Sequence, residues 1–184
     1  MSKNIVLIGG RATGKSHIGR LLADRLKRPY YDMDDLIIYE VYGQKIPKLT
    51  SSRGWHVFRN IEAIVAIKLS TMRGAVISAG GGVVCDQDED DKQFYSQRKV
   101  DALKKNSVVV WLHCSVATQI ARMEQDDANR PSITGTKSTK EEMLEVMQLR
   151  YPWYEKAADV AFDTEKESPE EIIEKILALP QLVS

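Results

Sequence analysis

The chain has 184 residues, enough for one domain with a single hydrophobic core, and its 43% hydrophobic and 28% charged residues are ordinary for a globular protein. Lys+Arg and Asp+Glu both number 26, so no basic surplus favours nonspecific binding to nucleic acid or an anionic membrane. No apolar stretch has the length of a membrane span, and the N-terminus lacks the pattern of a signal peptide. We therefore expect a cytoplasmic protein that binds neither nucleic acid nor membrane, with Cys85 and Cys114 reduced and buried.

Apolar, β-branched runs alternate with helical patterns along the chain. The runs predict strands over residues 5–8, 29–31, 75–79, 108–112 and 160–162. The intervening patterns predict helices over residues 15–26, 58–72, 115–124, 140–157 and 169–179. This alternation indicates an α/β fold with a doubly wound parallel sheet, whose ligands bind at the carboxyl ends of the strands.

One segment of mixed composition, residues 33–57, and two polar segments interrupt the alternation. Residues 33–57 and 126–139 are natural places for a substrate-holding flap and a closing lid, although both could be surface loops without a special role. We interpret residues 86–105, acidic first and then basic, as a solvated excursion and helix without a catalytic role.

A glycine-rich loop follows the first predicted strand. Gly9-Gly10-Arg11-Ala12-Thr13-Gly14-Lys15-Ser16 matches the pattern G-x4-G-K-[ST] without a mismatch. Glycine lets the backbone turn tightly around an anion, so that the loop amides and the positive end of the next helix face a phosphate. Lys15 supplies a cation to the β- and γ-phosphates, and Ser16 offers a hydroxyl to Mg²⁺. The loop therefore predicts a site for a nucleoside triphosphate, and we expect ATP.

Two acidic residues follow the second predicted strand. Asp32 and Asp34 are two positions apart, so on an extended segment their carboxylates point roughly the same way. One carboxylate can hold Mg²⁺ through water while the other accepts a hydrogen bond from a substrate hydroxyl. Alternatively, both belong to the acid-rich first turn of a helix.

Two patterns suit a small anionic substrate. Arg59 and Glu62 are neighbours on one helix face, where the glutamate can fix the guanidinium for a bidentate contact with a carboxylate. An ordinary surface ion pair is the alternative. Gly80, Gly81 and Gly82 directly follow a predicted strand and let a ligand approach bare backbone, although a tight turn would also explain them.

Two arginines complete the candidate set. Arg130 lies in the polar segment proposed as a lid, where it can swing onto the transferring phosphoryl group. Arg150 lies late in a helical segment that Pro152 would bend or end. Each by itself is typical of a solvated surface charge.

Taken in order, these motifs resemble the shikimate kinase family. That family shows a phosphate loop, then D-x-D, F-R-x-x-E, G-G-G, R-P in a lid, and R-x-x-x-Y before A-D. The matching residues here are those of the glycine-rich loop, Asp32 and Asp34, Phe58 with Arg59 and Glu62, Gly80 to Gly82, Arg130 with Pro131, Arg150 with Tyr154, and Ala158 with Asp159. The similarity spans residues 4–178, and the ordered set is more specific than any one motif.

The resemblance implies a P-loop fold like that of the nucleoside monophosphate kinases. We expect one three-layer α/β/α domain over residues 1–184 with a five-stranded parallel sheet, a substrate-binding subdomain at about 33–61 and a lid at about 123–139. The implied reaction transfers the γ-phosphoryl group of ATP to the 3-hydroxyl of shikimate with Mg²⁺ as cofactor. We expect the enzyme to be a monomer.

The resemblance also implies a role for each matching residue. Lys15, Asp34 and Arg130 would be catalytic, and Ser16 and Asp32 would serve Mg²⁺. Shikimate would be bound by Asp34 at its hydroxyls, by Arg59 and Arg150 at its carboxylate, and by Gly80, Gly81 and Gly82. ATP would be bound by Gly9, Gly10, Arg11, Ala12, Thr13, Gly14, Lys15, Ser16, His17, Arg122, Arg130 and Pro169, with Arg122 and Pro169 at the adenine.

The chain departs from the family pattern in three places. Thr50 and Trp55 stand where an aromatic residue and an acid are usual, Ser132 and Ile133 replace two leucines after Arg130-Pro131, and the segment after the three glycines is long and acidic. These departures concern affinity and lid dynamics more than the type of reaction. Two alternatives stay open: a related kinase acting on another hydroxy acid such as gluconate, and a non-catalytic nucleotide-binding regulator.

Overall fold

The computed structural model describes residues 2–125 and 139–182. The strands in these ranges are β1 (Asn4–Ile8), β2 (Tyr30–Asp32), β3 (Val76–Ser78), β4 (Cys85–Gln87), β5 (Gln93–Tyr95), β6 (Ser107–His113) and β7 (Val160–Asp163). The helices are α1 (Lys15–Leu26), α2 (Met33–Glu40), α3 (Ile46–Arg53), α4 (Trp55–Leu69), α5 (Gln97–Lys104), α6 (Val116–Gln125), α7 (Thr139–Ala157) and α8 (Pro169–Leu177).

A five-stranded parallel sheet forms the centre of the structure. Its strand order is β2-β3-β1-β6-β7, and every pairing is parallel. All five residues of β1 are buried, as expected for a central strand that helices cover on both faces. Because the strands run in one direction, the segments that follow β1, β2 and β3 all emerge at the same edge of the sheet.

Helices cover both faces of the sheet, and the alternating side chains of β1 show how. Ile5 and Leu7 belong to a hydrophobic cluster with residues of α1 and α8. Val6 and Ile8 belong to a second cluster with residues of α2, α4, α5 and α7. The predicted three-layer α/β/α class and the five-stranded parallel sheet are therefore confirmed.

The sequence interpretation of two segments needs correction. Residues 33–57, described from sequence as mixed, form α2, α3 and the first turn of α4. Residues 86–105 are only partly the solvated excursion that we expected, because β4 and β5 form an antiparallel hairpin and Asp86, Ser96 and Lys99 are buried. Apolar neighbours in β4 and α5 fix this segment against the core, which a count of charges does not show. The central part of the predicted lid, with Arg130 and Pro131, lies outside the described residues.

The sequence predicted that Pro152 would bend or end its helix, and the structure shows that it does not end it. α7 continues past it to Ala157. Tyr154 and Ala157 beyond the proline are both buried in the core, and the Tyr154 ring stacks on Trp111 with centroids 5.9 Å apart. We infer that this packing stabilises the final turns despite the missing proline N–H.

Among the described residues, no helix combines the length and apolar character needed to cross a membrane.

Candidate active site

The glycine-rich loop wraps closely between β1 and α1. Gly9 and Gly14 have φ angles of 143° and 87°, and a Cβ at Gly9 would lie 2.1 Å from the carbonyl oxygen of Leu112. Only glycine fits there without strain. Inside the loop, Thr13 Oγ1 and Lys15 Nζ donate hydrogen bonds to the Gly10 carbonyl at 3.1 and 2.6 Å. The loop is thus pre-shaped, with the N-terminus of α1 directly behind it.

A cavity of about 390 Å³ lies over this loop. Its lining consists of Arg11, Ala12, Thr13, Gly14, Lys15, Ser16, His17, Asp32, Asp34, Ser78, Ala79, Gly80, Gly81, Arg122 and Met123. Most of the residues expected to bind nucleotide therefore share one cavity; Gly9, Gly10 and Pro169 do not line it. Its shape and loop amides suit the phosphates of a nucleotide.

Ser16 and Asp32 meet beside the loop. Ser16 Oγ donates a hydrogen bond to Asp32 Oδ2 at 3.1 Å, and the Tyr30 hydroxyl donates to the same oxygen at 3.3 Å. Among the described residues, no group of three or more His, Cys, Asp or Glu side chains is placed to hold a metal ion. One hydroxyl and one carboxylate beside a phosphate site nevertheless fit Mg²⁺, which binds few protein ligands and completes its shell with phosphates and water.

Asp34 is placed differently from the sequence-based expectation. Asp32 ends β2 and caps α2, because its Oδ1 accepts a hydrogen bond from the backbone N–H of Asp34 at 3.0 Å. Asp34 therefore lies in the first turn of a helix, not on an extended segment as the spacing argument assumed. Both side chains still line the phosphate cavity, and this early turn of α2 carries Asp34 towards a second cavity.

The second cavity has a volume of about 350 Å³ and adjoins the first. Its lining consists of Arg11, Asp34, Ile38, Lys45, Ile46, Pro47, Trp55, Phe58, Arg59, Glu62, Gly80, Gly81, Gly82 and Arg150. Arg11, Asp34, Gly80 and Gly81 line both cavities. A group held in the second cavity can thus lie next to a phosphate held in the first, with Asp34 at the junction.

A buried charge network supports Arg59. The side chains of Arg59 and Glu62 are 3% and 0% exposed, and Arg59 Nη1 donates to Glu62 Oε2 at 2.9 Å. Lys99, with 0% exposure, donates to the same oxygen at 2.7 Å. The guanidinium also lies 5.3 and 5.0 Å from the ring centroids of Trp55 and Phe58. The alternative interpretation from sequence, an ordinary surface ion pair, is wrong because this pair is buried.

The network determines the ionisation of Glu62. Burial acts to raise the pKa of this carboxyl, but the positive charges of Lys99 and Arg59 outweigh burial and lower its pKa. Burial likewise acts to lower the pKa of Arg59, and the charge of Glu62 reverses the effect. Both groups are therefore charged at neutral pH.

Arg150 is a second arginine that lines this cavity. Its Nε donates to Gln93 Oε1 at 2.9 Å and its Nη1 to the Gly81 carbonyl at 3.0 Å. The Tyr154 hydroxyl donates to the same carbonyl, and burial raises the pKa of Tyr154 to about 12. The tyrosine thus remains a neutral hydrogen-bond donor that helps to fix the Gly81 backbone.

Three polar atoms of the second cavity's lining are buried without a hydrogen-bond partner among the described residues. They are Arg59 Nε, Arg150 Nη2 and Glu62 Oε1. Buried polar atoms without partners are rare in native proteins, since each is costly. Two guanidinium donors left over in one small cavity fit a ligand carboxylate, which accepts several charge-assisted hydrogen bonds.

The three glycines let these side chains approach the chain. A Cβ at Gly82 would lie 2.3 Å from both terminal nitrogens of Arg59. A Cβ at Gly80 would lie 3.0 Å from Glu62 Oε1 and 3.1 Å from Asp34 Oδ1, whereas one at Gly81 would have only ordinary contacts. Close packing of charged side chains therefore requires glycine at position 82 above all.

Arg122 bridges the far end of the phosphate cavity to the loop before α8. Its guanidinium donates to Thr164 Oγ1 at 3.0 Å, to the Thr164 carbonyl at 2.7 Å and to the Ala12 carbonyl at 3.3 Å. Pro169 is the first residue of α8, partly exposed, and lies outside the cavity lining.

Comparison with known proteins identifies the family of this chain. A family model described as Shikimate kinase matches residues 11–180. The chain belongs to the shikimate kinase family. Similar relatives include a shikimate kinase of Leptospira biflexa, 33% identical with 95% of this chain and 93% of the relative covered. Another, from Thermodesulfovibrio yellowstonii, is 37% identical with the same coverage, 95% and 93%.

A similar solved structure is the shikimate kinase of Acinetobacter baumannii in complex with shikimate. It superposes with a TM-score of 0.82 at 27% identity, covering 96% of this chain and 92% of that one. Shikimate kinases are ATP-dependent and use Mg²⁺, so the predicted family, enzyme class and cofactors are confirmed. The gluconate and regulatory alternatives are not supported by these relatives.

Sequence reasoning missed three contributors to this candidate site. Gln93 and Lys99 lie in the segment interpreted as solvated, and Tyr154 was noted only as part of a motif. One signal was present for Lys99: it precedes Leu103 by four residues and so shares its apolar helix face. Thr50 and Trp55 are two of the positions at which the chain departs from the family pattern. Trp55, the first residue of α4, lines the second cavity. Thr50, in α3, donates a hydrogen bond to the backbone of its own helix.

Glu62→Gln tests the buried network through pH. Because the folded-state pKa of Glu62 is lowered, its stabilising contribution is present above the ordinary value of 4.5 and is lost as the pH falls through the lower folded value. We expect E62Q to lower the free energy of unfolding by about 3 kcal/mol near neutral pH, and by progressively less on acidification. Urea unfolding from pH 7 to 3 measures this, with E89Q at an exposed site as control. A difference that does not change with pH would contradict the assignment.

Proposed function

We propose that the two adjoining cavities bind ATP and shikimate, so that the γ-phosphoryl group passes to the 3-hydroxyl of shikimate at their junction. The observation that carries this proposal is the placement of Asp34, which lines both cavities between the phosphate loop and two buried arginines. Shikimate combines a carboxylate with vicinal hydroxyls. The lining of the second cavity includes two arginines and Asp34, which match these groups.

The nucleotide half rests on the loop between β1 and α1. Backbone amides and the N-terminus of α1 stabilise the phosphates, and Lys15 adds a cation at the β- and γ-phosphates. We assign Ser16 and Asp32 to Mg²⁺, which supplies charge neutralisation at the phosphate oxygens when it is bound. We propose that the adenine ring lies beside Arg122, with Pro169 on its other side. We assign to Arg130 the role of bridging the phosphates.

The acceptor half rests on Arg59 and Arg150. Their unpartnered Nε and Nη2 atoms can both donate to one carboxylate, which orients the ring of shikimate. Gly80 and Gly81, which line both cavities, let the ring lie against bare backbone. Holding the acceptor oxygen next to the γ-phosphate supplies most of the catalysis, because phosphoryl transfer depends mainly on positioning and on charge stabilisation.

Asp34 acts on the acceptor hydroxyl. From the first turn of α2 its carboxylate accepts a hydrogen bond from the hydroxyl and takes the proton late, as the new oxygen–phosphorus bond forms.

We further propose that α2, α3 and the start of α4, at about residues 33–61, form the substrate-binding subdomain, and that residues 123–139 serve as the lid. A monomeric state and a cytoplasmic location, expected from sequence, complete the proposal; light scattering and cell fractionation test these two.

A coupled ADP-release assay tests the function directly. We expect ATP turnover that depends on shikimate and on Mg²⁺, with little or no turnover with gluconate or without an acceptor. Because two buried cations and one acid are arranged for a small hydroxylated carboxylate, shikimate should give the highest kcat/KM. Nucleotide binding without acceptor-stimulated turnover would contradict the proposal.

Asp34→Asn tests the role at the junction. The amide keeps the size of the side chain but cannot take a proton, so we expect kcat to fall by about 100-fold or more with little change in the Kd of ATP. Asp35→Asn is the matched control, because Asp35 is exposed on the same helical turn. Loss of ATP binding in D34N, or an equal loss of kcat in D35N, would show that the assigned role is wrong.

Gly82→Ala tests the arginine end of the second cavity. A methyl group there would overlap the guanidinium of Arg59, so we expect the KM for shikimate to rise by about tenfold, with the KM for ATP nearly unchanged. Gly82→Ala in an Arg59→Ala background is the control, since that background has no guanidinium for the methyl group to meet. Steady-state kinetics with each substrate varied separately distinguish the two. An equal effect of Gly82→Ala on the KM for shikimate with and without Arg59 would argue against the contact with Arg59.

A further inference from the structure

Lys99 is completely buried, which is unusual for a lysine. Its side chain has 0% exposure, and its Nζ donates hydrogen bonds to Glu62 Oε2 at 2.7 Å and to the Cys85 carbonyl at 2.5 Å. Asp86 Oδ1 lies 3.4 Å from the same nitrogen. A lysine ammonium is strongly hydrated, so its complete burial is costly and calls for a compensating role.

The charges around Lys99 indicate what that role is. Arg59 and Glu62 by themselves form a neutral pair, in which the guanidinium charge is largely satisfied by the carboxylate. Asp86 has a second cation of its own, since Arg98 Nε and Nη2 donate to its two oxygens at 2.9 Å each. Lys99 thus leaves the buried group around Glu62 with a net positive charge, and Arg59 and Glu62 of this group line the second cavity.

Geometry connects this charge to the cavity through Glu62. Lys99 does not line the cavity, whereas Arg59 and Glu62 both do. Glu62 Oε2 accepts from Lys99 and from Arg59 at the same time, while Arg59 Nε remains without a partner among the described residues. The guanidinium is therefore held in place by a carboxylate whose negative charge a second cation already neutralises.

We propose that Lys99 is a positioning residue for the substrate carboxylate: by neutralising Glu62 from α5, it keeps the charge of Arg59 available for the ligand. This inference rests on the proposed function, in which Arg59 binds the carboxylate of shikimate. Lys99 lies directly after the β4–β5 hairpin, in the segment where the chain departs from the pattern of its family. The hairpin contributes to both arginines, since its Gln93 also accepts a hydrogen bond from Arg150.

The alternative is a purely structural role, in which Lys99 only ties α5 to the Cys85 carbonyl and to α4. The two roles differ in one respect. A structural tie depends on hydrogen bonding, whereas neutralisation depends on charge and acts only while Glu62 is ionised. Variants that separate hydrogen bonding from charge, and a variant that removes both charges together, therefore distinguish them.

The experiment compares K99M and K99Q with wild type in steady-state kinetics. Both variants remove the charge, but the glutamine side chain of K99Q can still donate a hydrogen bond, so K99Q should fold even if K99M does not. We expect the KM for shikimate to rise about tenfold or more in each, with the KM for ATP close to wild type; the melting temperature should fall in both, because the buried Glu62 loses one of its two cations. K104M, at an exposed lysine of the same helix, should leave all three unchanged.

The double variant K99Q/E62Q completes the test. If Lys99 acts by neutralising Glu62, replacing Lys99 in the E62Q background should raise the KM for shikimate by less than about threefold. A KM in K99Q within about twofold of wild type, or an equal effect of the lysine substitution with and without Glu62, would overturn the proposal. R59A keeps the two proposals apart. An unchanged KM for shikimate in R59A contradicts the carboxylate contact itself, whereas a raised KM in R59A with a normal one in K99Q contradicts only the role of Lys99.

Discussion

The second cavity depends on one interaction, the pairing of the buried Glu62 carboxylate with two cations. A carboxylate without water requires cations, and Glu62 receives them from two directions, Arg59 within α4 and Lys99 from α5. Because both cations bind the same oxygen, the position of one helix relative to the other fixes where the guanidinium lies. The cavity wall is therefore a consequence of charge pairing in the core and is not assembled from flexible surface arginines.

The parallel sheet supplies the other constraint, which is the adjacency of the two cavities. The segments after β1, β2 and β3 leave the sheet at the same edge, since these strands are parallel neighbours. They carry the phosphate loop, Asp34 and the three glycines respectively. A donor phosphate and an acceptor hydroxyl can meet there without a large rearrangement of the sheet, which suits a reaction governed by positioning.

The departures from the family pattern acquire a physical meaning in this context. Trp55, which stands where the family usually has an acid, lies against the guanidinium of Arg59 and lines the second cavity. The long segment after the three glycines folds into the β4–β5 hairpin, whose Gln93 holds Arg150. Trp55 at the start of α4 and Gln93 of the hairpin thus support the two arginines of the second cavity.

The sequence by itself determined the fold class, the phosphate loop and the family, because these rest on local patterns: hydrophobic runs, glycines at fixed spacing and an ordered set of short motifs. It also placed Asp34, Arg59 and Arg150 among the candidates. Only the tertiary structure decided that the Arg59–Glu62 pair is buried, that Asp34 begins a helix, and that Lys99 and Gln93 belong to the site. Each of these depends on which segments pack together over long sequence distances, such as Lys99 with Glu62, and burial of a charge is decided by such partners and not by its neighbours in the chain.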